Sequence, residues 1–177
     1  MTFTETFKST PAAELVPTVA EQMMVSVEPE PQPQDLALSL VALASYAHQL
    51  YTQSHLIHLN IEGALFLPLH EFLKGQYELH IDQFDKLAEF LRIMDTLMPM
   101  CQKGLLGAQK SFKACRSYES RDMLITYLTN LQGFSEQAKC LGCLAEKVGA
   151  PDVENYAAQL VDESGKAAWF IKSTLRG

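Results

Sequence analysis

The stretch HLNIEGALFLPLHEFLKGQYELHIDQFDKLAEFLR, residues 58 to 92, holds four side chains that could bind a metal ion: His58, His70, Asp85 and Glu89. Imidazole nitrogens and carboxylate oxygens are common ligands of divalent metal ions. Placed on a helix at about 100° per residue, positions 70, 74, 85 and 89 fall at roughly 0°, 40°, 60° and 100°, a single stripe. Along that helix His70 and Asp85 are roughly 22 Å apart, so one ion cannot touch both in one chain. A second chain running antiparallel about a two-fold axis removes the difficulty. It sets His58 and His70 of one subunit against Asp85 and Glu89 of the other, giving two equal sites per dimer. The competing reading is a solvated charged helix face.

The elements that must position these residues are helices. Residues 35 to 60 read as a first helix, with Asp35 as N-cap and apolar residues at Leu36, Leu40, Leu43, Ala47 and Leu50. Gly63 permits a sharp turn, and Pro68 lies in the first turn of a second helix spanning 66 to 94. Its expected apolar face comprises Phe66, Leu69, Phe72, Leu73, Tyr77, Phe84, Leu87, Leu91 and Met94. Residues 95 to 110, with Pro99, Gly104 and Gly107, fit a short helical connector. A third helix over 119 to 147 ends at Gly149-Ala150-Pro151, and a fourth runs from there to about Thr174. No stretch alternates with the period of a strand. The expected fold is all-α: an up-and-down four-helix bundle with a short helix between helices two and three.

The chain has 177 residues, enough for one domain with a real core. Two parts are expected: a flexible acidic tail over residues 1–34, rich in Pro, Ser and Thr, and the bundle over 35–177. A net charge of −7 argues against generic nucleic-acid binding and suits a collector of cations. Four cysteines and no secretory leader pattern point to a reduced, cytoplasmic setting. The longest apolar run, Leu36 to Ala47, is about half of a membrane span, so no membrane association is expected.

The segment from His58 to Glu89 resembles the ferroxidase region of the Dps family, the dodecameric mini-ferritins of the ferritin-like superfamily. His58-Leu59-Asn60-Ile61-Glu62-Gly63, followed by Phe66, is similar to the family's first ligand motif, with Leu59 at its usual aromatic position. His70 follows at the family's spacing, and Asp85-Lys86-Leu87-Ala88-Glu89-Phe90 matches the second ligand motif except at its Arg. Lys166-Ala167-Ala168-Trp169-Phe170-Ile171 is similar to the family's last helix. The resemblance covers about residues 36 to 176.

It implies a dodecamer of two-fold dimers that binds Fe2+ at intersubunit sites and oxidises it, preferably with hydrogen peroxide. The ferric product is stored in a hollow shell, which protects against oxidative stress. His58 and His70 would be ligands from one subunit; Asp85 would bridge and Glu89 complete the site from the other. Asp152, Glu154 and Asp162 are candidates for an iron-entry pore, and Glu71 for mineral nucleation. Lys74 departs from the pattern, since the family places an aspartate there. An ammonium at that point repels Fe2+ or occupies the second metal position. The alternative function follows: a Dps-like cage with an impaired or altered centre, structural or binding another metal such as zinc. A third reading is an unrelated four-helix interaction module.

The remaining candidates read more simply. His55, three residues before His58, reads as a supporting neighbour of that ring, an extra ligand, or simply a satisfied polar residue; His48 and His80 read as satisfied polar residues. Cys140-Leu141-Gly142-Cys143, with Cys101 and Cys115, reads as free thiols of a helical core rather than a zinc or redox site. Met94, Met98 and Met100 read as core filler, and Trp169 and Phe170 as core or interface residues. The tail is acidic and the C-terminus offers only Lys172 and Arg176, so no strong DNA binding is expected.

Overall fold

Two helical hairpins form the molecule in a computed structural model that describes residues 30–176. The first joins α1 (Pro33–Asn60) to α2 (Phe66–Ile93), and the second joins α4 (Ser120–Val148) to α5 (Pro151–Leu175). A short α3 (Gln102–Gly107) lies between them, and no strand occurs among the described residues. The all-α four-helix bundle with its short connecting helix is the observed fold, but a long crossover between the hairpins replaces the simple up-and-down order expected. The expected acidic tail falls largely on residues 1–29, outside the described residues.

Helix ends follow local chemistry. The helix α1 begins at Pro33, two residues before the expected start. Asp35 is not the N-cap; it sits one turn in, and its carboxylate accepts a hydrogen bond from the Gln32 main-chain N–H at 2.8 Å. A proline with no N–H to satisfy takes the first helical position. Gly63 adopts a φ of 97° in the first hairpin turn, and Gly149 a φ of 75° after α4. In the second turn the Ala150 N–H reaches the Ala145 carbonyl at 2.9 Å, closing the helix end with glycine in the left-handed region.

The hairpins are antiparallel within themselves, and a crossover links them. Ser120 Oγ donates to the Glu62 carbonyl at 3.0 Å, so α4 starts at the end where α1 stops. The chain leaves α2 at the opposite end and must travel back along the bundle, which leaves α2 and α4 running in the same direction. The returning segment is pinned by side-chain amides: Gln109 to Gln137 at 2.7 Å, and the Lys113 main-chain N–H to Asn130 Oδ1 at 2.9 Å.

Leu40, Leu43, Leu50, Leu73, Leu87, Leu91, Leu131, Phe134 and Leu160 fill the core. Two features depart from the expected apolar faces. Phe66 is 44% exposed, whereas His80 and Gln83 are buried on α2. Their burial is satisfied by hydrogen bonds. His80 Nδ1 lies 2.8 Å from Gln83 Oε1 and Nε2 2.7 Å from the Tyr127 hydroxyl, while Gln83 Nε2 donates to Glu163 at 2.7 Å. The polar reading of His80 therefore holds, inside the core rather than at its edge. Desolvation pushes its imidazole pKa down to about 4, against a smaller upward pull from Gln83.

Candidate metal centre

His58 occupies the last turn of α1 and His70 the start of α2, so the Gly63 turn folds them together. Each ring is oriented by the other residue's backbone. His58 Nδ1 lies 2.8 Å from the His70 carbonyl, and His70 Nδ1 lies 3.0 Å from the His58 carbonyl. A carbonyl only accepts, so each Nδ1 carries the proton and donates. In the neutral ring, Nε2 then keeps its lone pair, as a metal-binding imidazole requires. The rings are stacked, with centroids 3.7 Å apart and an interplanar angle of 18°.

Aromatic groups wall the pair. The Phe66 ring lies 5.0 Å from His70, and Tyr77 lies 5.3 Å from His58. The Tyr77 ring also packs 4.3 Å from His55, which is 6.0 Å from His58. His55 is thus a ring neighbour of the pair. Tyr77, expected only in the apolar face of α2, therefore also contacts the histidine-bearing end of α1. His48 departs from the expected satisfied polar residue: it packs edge-on against Phe84 at 5.4 Å, and its buried Nδ1 has no hydrogen-bond partner among the described residues.

Asp85 and Glu89 lie elsewhere. Both are exposed on the far half of α2, beside a groove they share with Ala88, Arg92 and Ile93. Glu89 is paired with Lys86 at 3.2 Å, a surface contact of small energetic weight that an incoming cation can displace. Lys74, one turn beyond His70, is exposed and has no partner among the described residues. Glu71, Asp152, Glu154 and Asp162 are exposed as well. Among the described residues, no three metal-ligating side chains converge within one chain. The chain therefore brings together the two histidines and keeps the two carboxylates about four turns away.

The cysteines correct another expectation. Cys101, Cys140 and Cys143 are exposed and only Cys115 is partly buried, so they do not fill a helical core. Of the methionines, Met94 and Met98 pack on the core, whereas Met100 is 97% exposed. Trp169 and Phe170 are surface residues, 61% and 39% exposed.

Comparison with known proteins agrees with this architecture. A family model described as a ferritin-like domain matches residues 38–177. Among solved structures, Dps from Thermosynechococcus elongatus superposes with a TM-score of 0.77 at 19% identity, covering 80% of this chain and 90% of that one. Dps from Staphylococcus aureus gives a TM-score of 0.77 at 21% identity, covering 82% and 97%. Dps from Vibrio cholerae O1, titled a member of a broad superfamily of ferritin-like diiron-carboxylate proteins, gives 0.74 at 22% identity, covering 80% and 89%. No curated protein matches the sequence.

Proposed function

Since the chain belongs to the ferritin-like family, with the fold of the Dps structures, we propose that it is an iron-storing mini-ferritin that oxidises Fe2+ at sites shared by two subunits. The observation that carries this reading is the split donor set. Two imidazoles stand with Nε2 available at one end of α2, and two carboxylates stand exposed at its other end. Neither half binds a divalent ion well alone. An antiparallel partner supplies each half with the other, so ligation and assembly are one event.

In this reading His58 and His70 hold the ion from one subunit, Asp85 bridges toward it, and Glu89 completes the shell after leaving Lys86. Hydrogen peroxide takes two electrons, one from each of two ferrous ions, and the ferric product passes into the shell cavity. No helix among the described residues is long and apolar enough to cross a membrane. The test is the absorbance of ferric product after mixing Fe2+ and peroxide with the protein. A rate above that of the protein-free mixture is expected; no excess rate would overturn the proposal.

A second reading is a Dps-like cage with an impaired centre, and Lys74 favours it. Its exposed ammonium stands one turn from His70, on the stripe that the partner would face. Two metal ions and a fixed cation repel one another there, which lowers occupancy of the second position. Under this reading Fe2+ binds in a titration, at one ion per site, with little oxidation.

A further inference from the structure

We infer that Cys140 and Cys143 on α4 form a two-coordinate site for a soft monovalent cation of the cuprous class. Free cysteine is usually among the most buried residue types. Here both thiols are exposed and neither has a partner among the described residues. They do no packing work, and the iron reading makes no use of them.

The helix fixes how they are presented. Residues three apart on a helix are neighbours, with Cβ atoms about 5–6 Å apart. Leu141 and the flanking Ala138 and Ala145 are buried, which seats this stretch of α4 on the core. Gly142 serves the same contact, since a Cβ there would meet the Ala157 Cβ at 3.5 Å. The glycine between the cysteines faces α5, and the buried Ala138, Leu141 and Ala145 keep this stretch of α4 seated on the core.

That rigidity decides between the two chemistries open to the pair. A disulfide needs Cβ atoms roughly 3.5–4.5 Å apart, so closing one would distort the helix. A bridging metal with sulfur bonds of about 2.3 Å accepts sulfurs up to ~4.6 Å apart, within reach of the helical spacing. Glu136, one turn earlier on the same face, offers only a hard carboxylate oxygen and lies 2.7 Å from Lys139, so a soft ion takes the two sulfurs as its donors. Two thiolates without oxygen or imidazole select a soft ion over Fe2+. Binding is M+ + 2 RSH → [M(SR)2]− + 2 H+, with no change of oxidation state.

The test is an anaerobic titration of the reduced, fully assembled protein with Cu+ against a chromophoric cuprous chelator. The wild type is expected to withdraw about one equivalent per chain more than Cys140→Ser/Cys143→Ser, and each single variant to lose that equivalent. Cys101→Ser and Cys115→Ser should keep it. Equal uptake by the wild type and the double variant would overturn the inference, as would loss of the equivalent in Cys101→Ser. Failure of a thiol reagent to label Cys140 and Cys143 in the native assembly would do the same. Iron oxidation by the double variant should be unchanged, so this site and the ferroxidase reading stand or fall separately.

Discussion

Lys74 is the residue on which the proposed activity turns. It is exposed, one turn from His70 on the same stripe, and it puts a positive charge beside the proposed iron site. Lys74→Asp should raise the initial rate of Fe2+ oxidation by about tenfold or more, the scale of a 1.4 kcal/mol change in ion binding. Stopped-flow absorbance reads this directly; an unchanged rate would mean that the lysine does not obstruct the site. His80 makes a different kind of prediction. Its folded pKa of about 4 lies below the unfolded value near 6.5, so the unfolded chain binds the extra proton. Stability from the neutral ring is therefore complete above about pH 6.5 and is lost as pH falls toward 4, by roughly 3 kcal/mol. Denaturant unfolding of wild type and His80→Gln across that range should show the wild type losing more. The two histidine roles differed in legibility. His58 and His70 are legible through their match in type and spacing to the Dps-family motif, whereas His80 sits on an apolar stripe where only the neighbouring Gln83, Tyr127 and Glu163 reveal that its burial is satisfied.

At the scale of elements, hydrophobic period gave the helices and their order, and the turn glycines gave the breaks. Helix starts were less legible. Asp35 is a good capping residue in either of two positions, and the choice depends on Pro33 and on the Gln32 backbone. The thiols of α4 lie off the apolar stripe of Leu131, Phe134, Ala138, Leu141 and Ala145, so that period, and not the frequent burial of free cysteine, decides their exposure. One contact between elements explains an unremarked glycine. A Cβ added at Gly133 on α4 would collide with the Tyr46 hydroxyl, and the Tyr46 ring is held edge-on by Phe112 and Phe134 at 5.6 and 5.7 Å. Gly133→Ala should therefore destabilise the bundle by about 1–3 kcal/mol despite its better helix propensity. Tyr46→Phe should recover much of that loss in the double variant. Chemical denaturation of the four proteins in the cycle checks it.

For the whole molecule, the exposed apolar residues mark surfaces that a lone chain leaves uncovered. Leu59 is 64% exposed, Phe66 44% and Ile81 37%, all on the helices that carry the candidate ligands. Ile81 falls on the stripe between His70 and Asp85, where an antiparallel partner would lie. Ile81→Arg should lower the assembled mass in light scattering and abolish iron oxidation together, although neither ligand pair is touched. Retained oxidation in a dissociated chain would count against the shared site. The partner itself was legible only as an inference from distance, since one chain's periodicity reports which residues share a face and not what covers it.

The reciprocal bonds of His58 and His70 have a consequence for how the centre can be taken apart. Each imidazole is anchored to the other residue's carbonyl, and that carbonyl survives any substitution of the side chain. Removing one ring therefore does not set the other adrift. In the proposed site the rings hold their poses independently, and each would contribute one separate donor. Single-histidine variants should weaken the site in steps rather than dismantle it, and each remaining ring can be studied in its native pose.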